Sequence, residues 1–469
     1  MKLTNLAAFT LLASATFNTW AQVDTNKIEE VIKTSMARFD VPGMAVAIVE
    51  NDEVVLAKGF GIANLNTKAE VNKDTLFGIA SNTKAFTSAA LAKLVDEGKL
   101  RWDDRVIDHL PEFRLYDSYV TREMRVHDLL SHRSGLGLGQ GDLMIWPSTD
   151  KSVADILSGL KYLKPTSSFR SKYAYNNLMF VTAGEVVARV SGISWNDYVE
   201  KHILQPLKMT NSRAGFSRIP KSNKNWAIGH IPMEGSLHPF FVNYLEDFRG
   251  AGAIASSVED MSQWLRTQLT GGKMPNGDQL FSEKQQAQMW HPHITSMASK
   301  SAFEAYHQQF RGYGLGWFVT DVKGGHKQVY HTGGLLGTVT QFTMIPDLDL
   351  AIVVLTNQMN GSAFNTITNT IKDTYLGYED RGWLKILGQR NADYLKYNDS
   401  IKAAVYSKTE KMKGNATLPK PENIVGTYTD DWFGDIMITH DGNSYSIKSK
   451  RSPVLFGELL PYNATTYVA

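Results

Sequence analysis

Apolar residues first recur at helical spacing in IEEVIKTSMARFD, where Ile28, Val31, Ile32 and Met36 share one face. The stretch MAVAIVENDEVVLAKGFG then sets two apolar runs on either side of Asn51-Asp52 and predicts a β-hairpin. A helix follows Ser81, with Phe86, Ala89, Ala90, Leu94 and Val95 as its apolar face and Gly98 as its stop. From about residue 100 to about 290 the pattern is mostly helical with long loops, among them the glycine-rich SGLGLGQGD of 134–142. Strand character returns in QVYHTGG, GTVTQFTMI and LAIVVLTN, with Pro346 to Asp349 as a turn. A helix around Asn365 to Tyr375 then covers the sheet. Strands at both ends with helices between them predict an α/β chain, more narrowly α+β. Its one antiparallel sheet is built from both chain ends, with a helical insert packed beside it.

The pattern shifts after about residue 380. Residues up to Lys413 are charged and helix-like, and GNATLPKPEN, with Pro419 and Pro421, reads as a linker. IVGTYTD, DIMITHDGNSYSIKS and LFGELLPY then alternate as strands, with Asp441-Gly442 as a hairpin turn. This small β module stops at Ala469 without an evident closing strand and reads as incomplete. The expected organisation is a signal peptide over 1–21, a main domain over 22–380, a helical segment and linker over 381–421, and a C-terminal β module over 422–469. No internal repeat is visible.

The signal reading rests on three features. Lys2 is a short positive region, Leu6 to Phe17 is an apolar run too short to span a bilayer, and Thr19-Trp20-Ala21 resembles a cleavage site. Export to the periplasm or beyond, with a mature start near Gln22, is the expectation. No cysteine follows the apolar run, which excludes lipoprotein attachment, and no later stretch is long and apolar enough to span a membrane.

Composition narrows the chemistry. The 469 residues are 43% hydrophobic and 20% charged, enough for a large core and a second module. A formal net charge of +2, with no basic stretch interleaved with aromatics, argues against a nucleic-acid partner. There is no cysteine, so a thiol nucleophile, a thiolate zinc site and disulfides are all excluded.

A serine followed three residues later by lysine occurs three times: Ser81/Lys84, Ser148/Lys151 and Ser158/Lys161. Ser148 lies in a polar loop after a proline, and Ser158 lies in ILSGLKYL with Gly159 mid-helix. Only Ser81 opens a long apolar helix. There the exposed N–H groups and partial positive charge of the helix start favour a developing alkoxide or oxyanion. Lys84 falls on the same face. If buried, it loses its proton readily and can serve as a base. A second group is Tyr175-Asn176-Asn177, just before a helix that runs to Gly192. A tyrosine near a lysine can shuttle protons, and Asn177 can hydrogen-bond a substrate amide and Lys84. The plainer alternative is a buried tyrosine with an asparagine cap. The third group is His331-Thr332-Gly333-Gly334 at the end of a strand, where glycines admit a substrate carbonyl. The Gly334 N–H can pair with that of Ser81 as an oxyanion hole. A β-turn with an exposed histidine is the alternative.

Ser81-Asn82-Thr83-Lys84, Tyr175-Asn176-Asn177 and His331-Thr332-Gly333, in that order, resemble the three motifs of class C β-lactamases and their relatives. Those relatives include low-molecular-weight penicillin-binding proteins, D-aminopeptidases and family VIII-type esterases. VHDLLSHRSGL, LQPLKMTNS, GAGAIASSVEDMSQWL and YGLGW match as well, so the resemblance covers about residues 25–375. It implies a β-lactamase/transpeptidase-like fold. It also implies Ser81 as the acylated nucleophile, Lys84 and Tyr175 sharing the proton work, Asn177 orienting the substrate, and His331 and Thr332 lining the far side of the cleft. The C-terminal module resembles the small lipocalin-like domain appended to some of these hydrolases. One departure matters: class C β-lactamases carry lysine where this chain has His331. A histidine, with a reference pKa near 6.5, is mostly neutral at pH 7 and offers a substrate carboxylate no fixed cation.

Other signals carry less. His127 and His132, and His291 and His293, lack the HExxH spacing of a zinc peptidase, and no G-x-S-x-G is present. Gly312, Gly314 and Gly316 read as strand glycines near the cleft, and Trp432 and Phe433 as packing residues. The resulting expectation is an exported serine hydrolase with no metal or organic cofactor. Its substrate is an amide or ester, foremost a peptide or cell-wall fragment. A β-lactamase, a carboxylesterase and a catalytically silent binding protein are the alternatives.

Overall fold

The computed structural model describes residues 23–469 except 148, 234, 242–244 and 416. The expected signal peptide, and Ser148 of the second serine–lysine pair, lie outside the described residues. The centre is a nine-stranded antiparallel sheet. From edge to edge its strands are Ala69–Glu70, Glu53–Asn64, Gly43–Glu50, Leu350–Thr356, Thr338–Ile345, Lys327–Leu335, Phe318–Asp321, Phe310–Tyr313 and Ile294–Met297. The two ends of the main region meet in the middle, where Val46 stands opposite Val354. The hairpin at Asn51-Asp52 is present. Both residues have positive φ, 51° and 62°, the geometry that a two-residue hairpin turn needs.

The central strands GMAVAIVE and LAIVVLT are buried at every position, because helices cover both faces. Alternation sorts their side chains. Met44, Val46 and Ile48 pack under the helices Thr25–Arg38 and Gly361–Tyr375. Ala45, Ala47 and Val49 face the helical insert, where the small alanines let helix Val258–Leu269 approach. In that layer Phe86 stacks on Trp264 with ring centroids 4.0 Å apart. A side chain of this size, fully buried, contributes about 1.5–3 kcal/mol.

The helix after Ser81 departs from expectation. A 3-10 turn, Ala80–Asn82, precedes helix Thr83–Asp96, and that helix is buried all round its first two turns and more. The single apolar face read from the sequence is therefore only part of its contact surface, since small residues such as Ala85, Ser88 and Ala92 fill the other sides. Gly159 also differs: it ends helix Val153–Gly159 instead of sitting inside it. Three edge strands, 294–297, 310–313 and 318–321, and a hairpin of Gly229–Met233 with Ser236–Phe240, interrupt the expected helical stretch or extend the sheet.

Beyond the main sheet, a 30-residue helix Trp383–Met412 leads to a five-stranded antiparallel meander. Its strands are Gly426–Asp430, Gly434–His440, Tyr445–Ser449, Phe456–Asn463 and Thr466–Val468. The last strand was not legible in the alternation. This meander docks on the main region around Asp150. Arg451 Nε lies 2.6 Å from Asp150 Oδ1, the Asp150 N–H donates to the Arg451 carbonyl, and Trp432 packs beside Gly159. No helix among the described residues is long and apolar enough to cross a membrane.

Candidate active site

Ser81 is half-buried on the 3-10 turn at the entrance of its helix. The preceding Ala80 has φ +51°, a left-handed conformation that costs a residue with a Cβ roughly 1–2 kcal/mol. Neighbours hold it there. The Thr340 hydroxyl donates to the Ile79 carbonyl (3.0 Å) and accepts from the Asn82 amide (2.8 Å). The strand carrying the third motif presses against the same turn: a Cβ at Gly333 would stand 2.2 Å from the Ile79 carbonyl oxygen, so only glycine fits. Gly334 lies beside it, exposed.

Lys84 is completely buried. Its Nζ has three polar neighbours: Ser81 Oγ at 3.0 Å, Asn177 Oδ1 at 2.9 Å and the Ala251 carbonyl oxygen at 2.8 Å. Burial pushes its pKa well below that of a free lysine, and Asp142 opposes this only in part. In the neutral amine two N–H groups point at two carbonyl-type oxygens, which leaves the nitrogen lone pair facing the Ser81 hydroxyl. The Tyr175 phenol donates to Ser81 Oγ from the other side at 2.7 Å. Burial raises the Tyr175 pKa, so it rests as a phenol. The first two motifs thus meet at one oxygen atom. Asn176, not Asn177, is the cap of helix Asn177–Ser191, accepting from the N–H groups of Leu178 and Met179. That capping leaves the Asn177 side chain free for Lys84.

His331 is buried, not exposed as in a turn, and it faces the same side of its strand as Gly333. Its Nδ1 donates to the Thr332 carbonyl at 2.7 Å, and Tyr313 OH lies 2.9 Å from Nε2, so the phenol is the donor there. Burial, and then the nearby Lys84, push its pKa down to about 3. The ring is neutral over the whole physiological range. Thr332 and Gly334 stand on the opposite, more open face of the strand.

Three further participants escaped the sequence reading. Asp142 accepts from Asn177 Nδ2 at 3.0 Å. His132, fully buried with φ +53°, packs against Tyr175 with the rings tilted by 38° and centroids 4.2 Å apart, and accepts the Asn176 N–H on Nδ1. Tyr313 holds His331. His132 and Tyr313 lie in stretches whose family likeness is visible (VHDLLSHRSGL and YGLGW) and Asp142 at the end of the glycine-rich loop, but nothing in spacing announces their contacts. A cavity of about 720 Å³, lined by Tyr116, Tyr119, Ser134, Thr166 and Phe169 among others, shares none of its walls with the Ser81 centre.

The family model described as Beta-lactamase matches residues 28–374, which is most of the chain and includes all three motifs. This chain belongs to the β-lactamase family. It is a serine hydrolase of that family by fold. Among curated proteins of the family it is 28% identical over 428 residues to "Unguisins hydrolase ungD'" of Aspergillus campestris, covering 86% of this chain and 75% of that protein. It is 27% identical over 339 residues to "Protein flp" of Staphylococcus aureus, covering 71% of this chain and 62% of that protein. Among solved structures, an octameric penicillin-binding protein homologue from Pyrococcus abyssi superposes with a TM-score of 0.67 at 24% identity, covering 94% of this chain and 91% of that one. That last likeness bears on the fold. The fold class of this β-lactamase-family chain agrees with the expectation from sequence, C-terminal β sheet included.

Proposed function

We propose that the protein is an exported hydrolase that forms an acyl-enzyme on Ser81, with an amide or ester substrate, foremost a peptide containing D-amino acids or derived from a cell wall. The observation that carries this reading is the convergence of Lys84 Nζ and Tyr175 OH on Ser81 Oγ, at 3.0 and 2.7 Å. In this reading neutral Lys84 takes the Ser81 proton as Oγ attacks the carbonyl carbon. The N–H groups of Ser81 and Gly334 receive the oxyanion. Tyr175 donates its proton to the leaving amine or alkoxide. The ammonium and phenolate left behind then exchange a proton and restore both groups, and water cleaves the acyl-enzyme by the same relay. Export is supported by the leader pattern at the start of the chain, and a peptide substrate by relatives whose names include a hydrolase and a penicillin-binding protein homologue. The neutral His331 argues against a β-lactamase, because the strand that would face the substrate carboxylate carries no cation there.

The test pairs the mature protein with its Ser81→Ala variant on two probes. One is benzylpenicillin, followed by intact mass and by loss of the drug. The other is the p-nitroanilide of D-alanine. The expected result is Ser81-dependent release of nitroaniline with little penicillin consumed. Rapid Ser81-dependent consumption of penicillin would move the assignment to β-lactamase, and near wild-type turnover by Ser81→Ala would remove the nucleophile assignment.

A further inference from the structure

The loop that follows the glycine-rich segment brings a carboxylate to the back of the Ser81 centre. Gly141, with φ +82°, packs so tightly on Leu163 and Leu178 that a Cβ would stand 2.6 and 2.5 Å from their methyl groups. The next residue, Asp142, opens the 3-10 turn Asp142–Met144, and its main-chain carbonyl accepts from the N–H groups of Ile145 and Trp146. The side chain is thereby fixed against Asn177. Its Oδ2 accepts from Asn177 Nδ2, while Oδ1 is buried without a hydrogen-bond partner among the described residues. No arginine or lysine among the described residues forms an ion pair with it.

An asparagine amide is ambiguous, since either end can face a neighbour. A carboxylate removes the ambiguity because it only accepts. With Nδ2 committed to Asp142, Oδ1 must face Lys84, where it holds one of the amine's N–H groups. The reversed amide would instead donate to the lysine lone pair, which the Ser81 proton needs. We propose that Asp142 is a positioning residue of the Ser81 centre: it locks the Asn177 amide with its oxygen toward Lys84 and supplies the buried negative charge that faces that lysine.

Every titratable group facing Lys84 bears on its charge. Tyr175 rests as a phenol, His132 and His331 are held neutral by burial, and Asp142, whose own pKa burial raises against the opposing pull of the Asn177 hydrogen bond and Lys84, is the carboxylate that raises the lysine's proton affinity. Removing that charge makes the ammonium still less favourable. The acid limb of any reaction that needs neutral Lys84 then moves to lower pH.

This inference rests on the Ser81 acyl-enzyme reading, so the experiment first checks that reading without needing the substrate. A fluorophosphonate transfers its phosphonyl group to Ser81 Oγ, fluoride leaves, and the serine proton goes to Lys84. The rate is followed by intact mass from pH 4 to 9 in the full chain. Wild type failing to label, as Ser81→Ala must, would overturn the nucleophile reading itself. Given labelling, Asp142→Asn keeps an acceptor for Asn177 but loses the charge. It is expected to hold the plateau rate within a few-fold while the acid inflection falls by about one pH unit. Asp142→Leu loses both and is expected to lower the plateau by tenfold or more. Asp142→Glu should restore a wild-type inflection. Thermal melts establish that each variant is folded. Folded Asp142→Asn and Asp142→Leu proteins with wild-type inflection and plateau would overturn the proposal.

Discussion

Lys84 and Lys372 are both buried, with 0% and 5% of their surfaces exposed, and only Lys84 belongs to a candidate active site. Lys84 sits behind Ser81. Lys372 sits on helix Gly361–Tyr375 at the opposite face of the sheet, where its Nζ donates to Gln328 Oε1 at 2.9 Å and lies 3.9 Å from the centre of the Tyr306 ring. Burial pushes the pKa of Lys372 down to about 7 and that of Lys84 well below a free lysine. The difference is in what the nitrogen can reach. Lys84 touches a hydroxyl that is open to a substrate and flanked by a phenol. Lys372 touches an amide and an aromatic face, beside an Asp373–Arg381 ion pair that is itself enclosed by Tyr306, Tyr378 and Trp383. A displaced proton affinity therefore marks burial, and chemistry requires a nucleophile within hydrogen-bond reach as well.

The strongest way to break this comparison is to replace each lysine by methionine. Lys84→Met is expected to slow Ser81 labelling and turnover by roughly 10²–10⁴-fold, the usual worth of a general base. Lys372→Met is expected to leave both at the wild-type level. Equal losses in the two variants would erase the distinction.

A second measurement looks for likeness instead. In each case the folded state releases its proton at a lower pH than the unfolded chain, whose lysines titrate near 10.4. Between pH 7 and 9 the unfolded state therefore binds more protons, and stability rises with pH. For Lys372 the window opens at its folded value of about 7. Removing it should flatten the rise by about 1.4 kcal/mol per pH unit in urea melts. Lys84→Met should also lessen the rise while, unlike Lys372→Met, slowing labelling by the roughly 10²–10⁴-fold worth of a general base. An unchanged slope in Lys372→Met would show that its proton is not displaced.

The smallest effect concerns the C-terminal sheet. The loop that carries Asp142 continues to Asp150 and Asp155, which hold Arg451. These partners are partly exposed, so Arg451→Ala is expected to cost only about 0.2–1 kcal/mol. Hydrogen exchange should nonetheless quicken over 142–155 and leave the helix around Lys372 unchanged. Uniform protection in both regions would mean that the sheet rests on the loop without steadying it.

Much of the frame was legible because it follows simple periodicity. The central strands, the Asn51-Asp52 hairpin and the helix that ends at Gly192 are each set by local pattern. The edge strands at 294–297 and 310–313 were not, since their exposed sides carry no clear alternation. The helix after Ser81 read as one-faced because its alanines look neutral in sequence, whereas packing uses them to bury the lysine. Within the centre, the Ser81, Lys84 and Tyr175 encounter followed from ordered motifs. Asp142, His132 and Tyr313 did not, because loops bring them in and their hydrogen bonds depend on tertiary placement. His331 shows the same limit: the sequence suggested a mostly neutral ring, but only the Tyr313 contact and full burial reveal a fixed tautomer.

The turn that carries Ser81 is held by Thr340, a partner 258 positions along the chain from Asn82. The strand under the centre of the sheet likewise waits for Leu350–Thr356. During synthesis, then, the turn of the left-handed Ala80 can be met by Ile254 but lacks its Thr340 contacts until nearly three-quarters of the polypeptide exists. Pairing across so long a span also closes slowly. In the reading proposed above, Ser81 therefore gains its fixed geometry only once the last strand of the main sheet has arrived.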